Sequence, residues 1–256
     1  MNDPKARRKQ LESIPRAVIV YATDYPDGYS TGLHHHPFAQ LVYATQGVME
    51  VEAQERLWMI PPGRALWVPS KISHNVTMHG GAEMRTLYIR SEQFQSLPSS
   101  TLVLNISPLM KEMILEALRR PRLYAPGSED ERFVDVMVEQ IHRLESEAFS
   151  LPVSEHPVMK SILNQMVLNP EETISLESLA DQVNVSSRTL SRMFKSEVGM
   201  SFIQFRQQVR LCRALKLLAQ GCPVANVAVD VGFFSQSAFI KLFKQSFGKT
   251  PGEYFK

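Results

Sequence analysis

The chain has 256 residues with 44% hydrophobic and 21% charged residues, and its formal net charge is +2. This length suits one large domain or two medium domains with real cores. No apolar run approaches the roughly 18 residues that a membrane-spanning helix needs, and the cysteines Cys212 and Cys222 fit no zinc or CxxC pattern. A reduced, cytoplasmic protein without a membrane segment is expected.

The N-terminus is basic but has no hydrophobic run behind it, so a solvated tail rather than a secretory signal is expected; its cations are Lys5, Arg7, Arg8 and Lys9. Charge is divided unevenly along the rest. From Pro157 onward, 12 Lys and Arg stand against 7 Asp and Glu, a net of +5. The first 156 residues hold 16 against 19, a net of −3, and all seven histidines. Two domains are predicted, the second facing an anionic partner.

Residues 17–92 predict a compact antiparallel sandwich or barrel, and we favour a barrel. Seven short β-rich runs, from "AVIVYA" to "RTLYIR", are separated by turn-forming residues. Helices are predicted over 107–147. The first has Ser107 as N-cap and Pro108 at its first position, and the second covers 130–147. Its apolar stripe, which would pack on its own domain or form a dimer face, consists of Phe133, Met137, Ile141 and Leu144.

The segment 149–156 is predicted to be a linker, because it contains prolines and shows no periodicity. The predicted organisation is therefore α+β with two domains: a sensor or dimerisation domain over 1–148 and an all-α domain over 157–256.

The C-terminal domain contains the same pattern twice. In "SLESLADQVNVSSRTLSRMFKSEVG" one helix ends near Val183, a turn follows at Asn184, and a second helix begins near Ser187. "PVANVAVDVGFFSQSAFIKLFKQSFG" repeats these steps, with Gly232 at the turn, where a positive φ is expected. Each copy predicts a helix-turn-helix motif.

Between the copies, "SFIQFRQQVRLCRALKLLAQG" predicts one amphipathic helix of about 19 residues, or about 28 Å. Successive major-groove faces of B-DNA are about 34 Å apart. A single chain could therefore place two recognition helices in adjacent grooves. Arg206, Arg210 and Arg213 on this connector are expected to form internal ion pairs or phosphate contacts.

From about Pro157 to Lys256, these motifs resemble the DNA-binding domain of AraC/XylS transcriptional regulators. The resemblance implies an effector-responsive regulator that binds double-stranded DNA, forms a homodimer and, if an activator, contacts RNA polymerase. It slightly favours activation. With the exposed helix faces it indicates the DNA contacts Ser187, Arg188, Ser191, Arg192, Lys195, Gln236, Ser237, Ile240, Lys241 and Lys244.

The segment "GLHHHPFAQLVYATQG" together with "PSKISHN" resembles the metal-binding arrangement of cupins. Gln40 stands where that pattern has an acid, and Lys71 where it has a glycine. Because residues two apart on a strand point to the same side, three histidines could converge: His34, His36 and His74. They could hold a divalent transition metal, and His35 is expected to be exposed. The other possibility is an organic-effector pocket formed by His34, His36, Gln40, Tyr43, Trp67 and His74.

We therefore interpret the chain as a sequence-specific DNA-binding regulator and predict no catalytic residue. Two alternatives stay open. One is a metal-dependent cupin enzyme fused to a DNA-binding module, although the cupin acid is missing. The other is a DNA-binding protein whose barrel only dimerises and has no effector.

Overall fold

The computed structural model describes residues 10–94, 97–147 and 149–255. The cations of the predicted N-terminal tail, Lys5, Arg7, Arg8 and Lys9, lie outside these residues. The described chain forms two compact units. The first contains the residues up to 54 and 58–149, and the second contains 55–57 and 150 onward.

The first unit is built mainly from antiparallel strands, and the seven predicted runs are all strands. The strands up to residue 147 are β1 (Val18–Tyr25), β2 (Ala39–Ala44), β3 (Val48–Ala53), β4 (Arg56–Ile60), β5 (Arg64–Val68), β6 (His74–His79), β7 (Ala82–Ile89), β8 (Leu102–Asn105) and β9 (Ser146–Glu147). One sheet has the order β1-β7-β2-β5-β8-β9, and in the other β3 pairs with β6.

The strands form two sheets, which is the sandwich form of the predicted sandwich or barrel. A core of buried residues from both sheets lies between them, including Val42 and Leu66 from the first and Met49 and Met78 from the second. Alternate residues of the first sheet, such as Leu41, face the opposite way and pack against helices. The central strands β2 and β5 therefore have two buried faces, which is why only one residue of each is polar or charged.

Two helices cover that outer face, α1 (Pro108–Ala117) and α2 (Glu129–Ile141). The predicted Ser107 cap is present, since its side chain accepts a hydrogen bond from the Met110 backbone N–H. The prediction of a helix to residue 147 is wrong, because α2 ends at Ile141 and β9 follows. Leu144 still packs partly buried against the core, which explains its apparent helical spacing.

The second unit is helical from Pro157 onward, as predicted. Its helices are α3 (Pro157–Leu168), α4 (Leu176–Gln182), α5 (Ser187–Met193), α6 (Phe202–Ala219), α7 (Val224–Asp230), α8 (Gln236–Phe247) and α9 (Pro251–Tyr254). A π-helical turn, Phe194–Val198, continues α5.

The predicted linker 149–156 is not free of structure. Ser150–Pro152 forms a buried short strand, β10. The Ser150 side chain accepts a hydrogen bond from Arg56 Nη1 at 3.1 Å, and its carbonyl accepts one from Gln208 Nε2 at 3.0 Å. These bonds arise from residues distant in sequence, so the prolines and lack of periodicity gave no sign of them.

Candidate nucleic-acid interface and histidine cluster

The first helix-turn-helix motif consists of α4, a tight turn and α5. Asn184 takes the predicted left-handed backbone with φ 54°, and Val185 N donates to Ala180 O at 3.0 Å. Ser186 caps α5 by accepting a hydrogen bond from Thr189 N. Leu190 is completely buried, so the recognition helix is held on one face and presents the other to solvent.

The second motif, α7 and α8, reproduces this turn. Gly232 has φ 77°, and Phe233 N donates to Ala228 O at 2.9 Å, matching the bond at Ala180 in the first motif. Ser235 caps α8 by accepting from Ala238 N, and Phe239 is completely buried. The repeated sequence pattern therefore produces a repeated backbone geometry.

Both motifs are anchored to α6, the predicted connector. The ring of Phe194, just after α5, packs on Phe205 with centroids 6.1 Å apart. On the other motif, the Arg210 guanidinium lies over the Phe233 ring at 5.4 Å from its centroid. Because both motifs pack on α6, this helix can set the distance between the two motifs.

The connector arginines differ from the prediction of ion pairs. Arg210 is buried and donates to the backbone carbonyls of Pro170 (3.0 Å) and Glu172 (3.4 Å). Burial, with a smaller contribution from Arg206, lowers the pKa of the Arg210 guanidinium. Arg206 donates to Ile174 O at 3.3 Å, and Arg213 is exposed. Arg206 and Arg210 therefore attach a loop to α6, because the carbonyls of that loop need donors.

The predicted DNA contacts lie on the solvent faces of α5 and α8 and just beyond α5. Ser187 and Ile240 are half-buried, and Lys195 lies in the π-helical turn. Within residues 149–255, neither Arg188 nor Arg192 forms an ion pair with a carboxylate, so both guanidiniums face solvent. The remaining predicted contacts are also exposed: Ser191, Gln236, Ser237, Lys241 and Lys244.

The sequence reasoning overlooked Phe234, which is 99% exposed beside the start of α8. Its neighbour Phe233 is half-buried and packs on Phe239 with centroids 5.6 Å apart. The sequence contained a signal for this exposed ring. The turn needs only one phenylalanine to pack on the core, but it has two in succession. An exposed aromatic ring beside a recognition helix can contact a thymine methyl group.

The first unit brings the three predicted histidines together. His34 and His74 exchange backbone hydrogen bonds of 3.0 and 2.8 Å. Their ring centroids are 4.4 Å apart, and the His36 ring lies 5.2 Å from that of His74. His36 and His74 are buried, and one ring nitrogen of each of the three lies within 4.8 Å of the others.

Gln40 adjoins the cluster, as predicted, with its Oε1 2.9 Å from His36 Nε2. Tyr88, which the sequence reasoning overlooked, also adjoins it, because its ring packs edge-on to His36 at 5.5 Å. Lys71, in the place of the cupin glycine, has φ 65° and donates its N–H to His36 O at 2.9 Å. The turn therefore keeps the backbone that the glycine would favour. His35 is exposed, as expected.

Tyr43 and Trp67 are not part of the cluster, contrary to the predicted pocket. Both lie on the helix-covered face of the sheet, whereas Gln40 faces the other way because it is three residues from Tyr43 on the same strand. Burial, with a smaller contribution from Glu112 of α1, raises the pKa of Tyr43. Trp67 Nε1 donates to Pro98 O at 2.8 Å.

Comparisons with known proteins match both halves of the chain. Residues 16–151 match the family described as AraC-like ligand binding domain, and residues 179–256 match a family of helix-turn-helix domains. The HTH-type transcriptional regulator NimR of Escherichia coli (strain K12) is 33% identical over 89% of this chain and 83% of its own length. The HTH-type transcriptional regulator RipA of Corynebacterium glutamicum is 28% identical over 84% of this chain and 61% of its own. In the part of the chain that the structure describes, no helix is long and apolar enough to cross a membrane.

Proposed function

Because the chain belongs to the AraC family of transcriptional regulators, we propose that each molecule reads two adjacent major grooves of one DNA duplex. The observation that carries this proposal is the pair of motifs with matching turns, both anchored to α6. With 18 residues, α6 is about 27 Å long, which approaches the roughly 34 Å between successive major-groove faces. A non-palindromic site follows, because one chain supplies two different recognition helices.

The exposed side chains divide between base reading and phosphate contact. Arg188 and Arg192 suit the O6 and N7 atoms of guanine, and Gln236 suits adenine. Ile240 and Phe234 suit the methyl group of thymine. Lys195, Lys241 and Lys244 lie further along the motifs and suit phosphates, while the serines Ser187, Ser191 and Ser237 can bond either bases or phosphates.

The test is selection of DNA sites from a random library by full-length protein, followed by hydroxyl-radical footprinting. We expect two protected patches about one helical turn apart on one face of the duplex, bound by a single chain. A single patch per chain would contradict two-groove reading. DNA binding without sequence preference would contradict specific regulation itself.

The N-terminal unit is proposed to sense a small effector and to bias DNA binding or dimerisation between two states. The site for this effector is formed by the three histidines with Gln40. Saturating ligand that leaves DNA affinity and oligomeric state unchanged would favour a unit that only dimerises. The matched relatives are named as transcriptional regulators, which supports a role without catalysis and a cytoplasmic location. Contact with RNA polymerase would follow if the protein activates transcription.

A further inference from the structure

We propose that His34, His36 and His74 bind one divalent transition-metal ion through their Nε2 atoms, with the Gln40 amide oxygen as a fourth, neutral ligand. This inference deepens the proposed effector response by naming the class of ligand that the N-terminal unit takes. It rests on that proposed function only for its biological meaning, because metal binding is measured without DNA.

The backbone holds the three imidazoles close to one another. The paired N–H and carbonyl groups of His34 and His74 fix these two residues opposite each other. One nitrogen from each ring lies within 4.8 Å of the others. Ligands on a tetrahedral ion with bonds of about 2.0–2.1 Å are about 3.3 Å apart, so the nitrogens would have to approach one another by at most about 1.5 Å to bind one ion.

Hydrogen bonds to the backbone determine which nitrogen each ring offers. Nδ1 of His34 lies 2.8 Å from Gly32 O, Nδ1 of His36 lies 2.9 Å from Phe38 O, and Nδ1 of His74 lies 2.9 Å from Ile72 O. Because a carbonyl oxygen can only accept, each Nδ1 carries a proton. In the neutral ring, Nε2 then carries the lone pair.

The same arrangement is what a metal-binding histidine requires. Metal-ligating histidines almost always donate their second N–H to a carbonyl, carboxylate or water, which fixes both the tautomer and the ring orientation. Each of the three rings is oriented by a different carbonyl, and His36 and His74 are also buried. These hydrogen bonds and this burial hold the rings in defined orientations, as expected for a preorganised metal site.

Gln40 provides an independent observation. Its side chain is buried, and its Oε1 lies 2.9 Å from His36 Nε2. Two acceptor atoms at this distance suit neighbouring ligands of one cation. Without metal, a half-turn of the amide lets its NH₂ group donate to Nε2 instead, so the same residue serves both states.

The donor set indicates the type of ion. Imidazole nitrogens favour Zn²⁺, Cu²⁺, Ni²⁺ and Fe²⁺, whereas Mg²⁺ and Ca²⁺ prefer oxygen. Four neutral ligands leave the charge of the ion uncompensated. Binding should therefore be weaker than in a site with a carboxylate, which suits reversible sensing.

The experiment uses full-length protein without an affinity tag, stripped with a chelator and titrated with Zn²⁺ and, separately, Co²⁺. We expect one equivalent to bind and the visible absorption of Co²⁺ to report nitrogen ligands. His34→Ala, a half-exposed position, should weaken binding about 100-fold or more, since loss of an outer-shell partner alone costs 10–100-fold. The matched control is His35→Ala, an exposed neighbour outside the cluster, which should bind like the unaltered protein.

The variant Gln40→Glu should bind metal more tightly, a result that is not expected if Gln40 has only a structural role. The carboxylate should tighten Zn²⁺ binding about 10-fold or more, whereas Gln40→Leu should weaken it. Circular dichroism establishes that each variant is folded. The proposal is overturned if the folded, stripped protein binds no stoichiometric metal, if His34→Ala binds as tightly as His35→Ala, or if Gln40→Glu brings no gain.

The selected DNA site is titrated with the same samples. Loss of specific DNA binding with intact metal binding would contradict the proposed function alone. Specific DNA binding without stoichiometric metal binding would contradict this inference alone.

Discussion

Gly232 shows how closely the turn of the second motif is built against the rest of its unit. A Cβ at this position would lie 2.5 Å from Glu171 O and 2.6 Å from Arg210 Nη2. The residue also has φ 77°, which disfavours any other side chain. We expect Gly232→Ala to lower the free energy of unfolding by about 3 kcal/mol or more, from backbone strain and steric overlap together.

Gly248→Ala is the matched control, since Gly248 has φ 76° but a Cβ added there would meet no atom within 4 Å. It should lose only the backbone contribution, about 1–2 kcal/mol. Urea unfolding followed by the helical signal measures both variants. Equal losses would mean that the loop at Glu171 moves freely, and the anchoring of the turn to α6 would then be refuted.

Arg192 is exposed on the outer face of α5, where a guanidinium can reach guanine. Arg192→Ala should weaken binding to the selected site by about 1–3 kcal/mol and relax the preference at one base position. Arg213→Ala, an equally charged and exposed change on α6, is the control and should leave sequence preference unchanged. Uniform weakening across all sequences would instead make Arg192 a phosphate contact.

At the scale of elements, the turn before α8 separates two neighbouring rings into different roles. Phe233 packs on Phe239 and under Arg210, whereas Phe234 is exposed. Phe233→Ala should lower the free energy of unfolding by about 2 kcal/mol. Phe234→Ala should change it by less than about 0.5 kcal/mol but remove a preference for thymine at one position.

Binding of both variants to a site library, with melting temperatures measured in parallel, checks this pair. An unchanged sequence preference in the Phe234 variant would exclude its contact with a base. A stability loss as large as that of Phe233→Ala would show that Phe234 packs within its unit.

Local signals predicted the elements best where one residue fixes the backbone. Ser107 capped its helix, and Asn184 and Gly232 took the positive φ that their turns need. Local signals failed where contacts with residues distant in sequence determine the structure. Leu144 kept a helical spacing although its helix had ended, because it packs on the core from a loop. The prediction that Trp67 lines the pocket was wrong. Both faces of its strand are buried, and the sequence does not reveal which face lies on the side of the histidines.

For the whole molecule, the repeat and the charge division sufficed to predict two units and a DNA-binding half. The histidine cluster was predicted in part, since His34 and His36 share a strand-like spacing. The convergence of His74, 38 residues further along, depends on a bridge between distant segments. The carbonyls that orient the rings could not be predicted, because each lies two residues from its histidine in backbone outside the regular strands.

Spacing between the two half-sites provides the strongest test of a single chain reading both. Inserting 5 base pairs turns one half-site about half a turn away, so affinity should fall to that of one motif. Inserting about 10 base pairs restores the face but adds about 34 Å, and α6, at about 27 Å in total, cannot extend to cover it. We therefore expect no recovery at the longer spacing.

Gel-shift titrations at fixed salt measure this series, with the unaltered site as reference and salt held constant because phosphate contacts make affinity salt-dependent. Two chains joined by a flexible contact would follow the helical repeat and bind well again at 10 base pairs. If affinity recovers at 10 base pairs, the two half-sites are bound by separate chains. We expect the affinity to stay low, with only one motif bound, because α6 is packed against both motifs through Phe205 and Arg210.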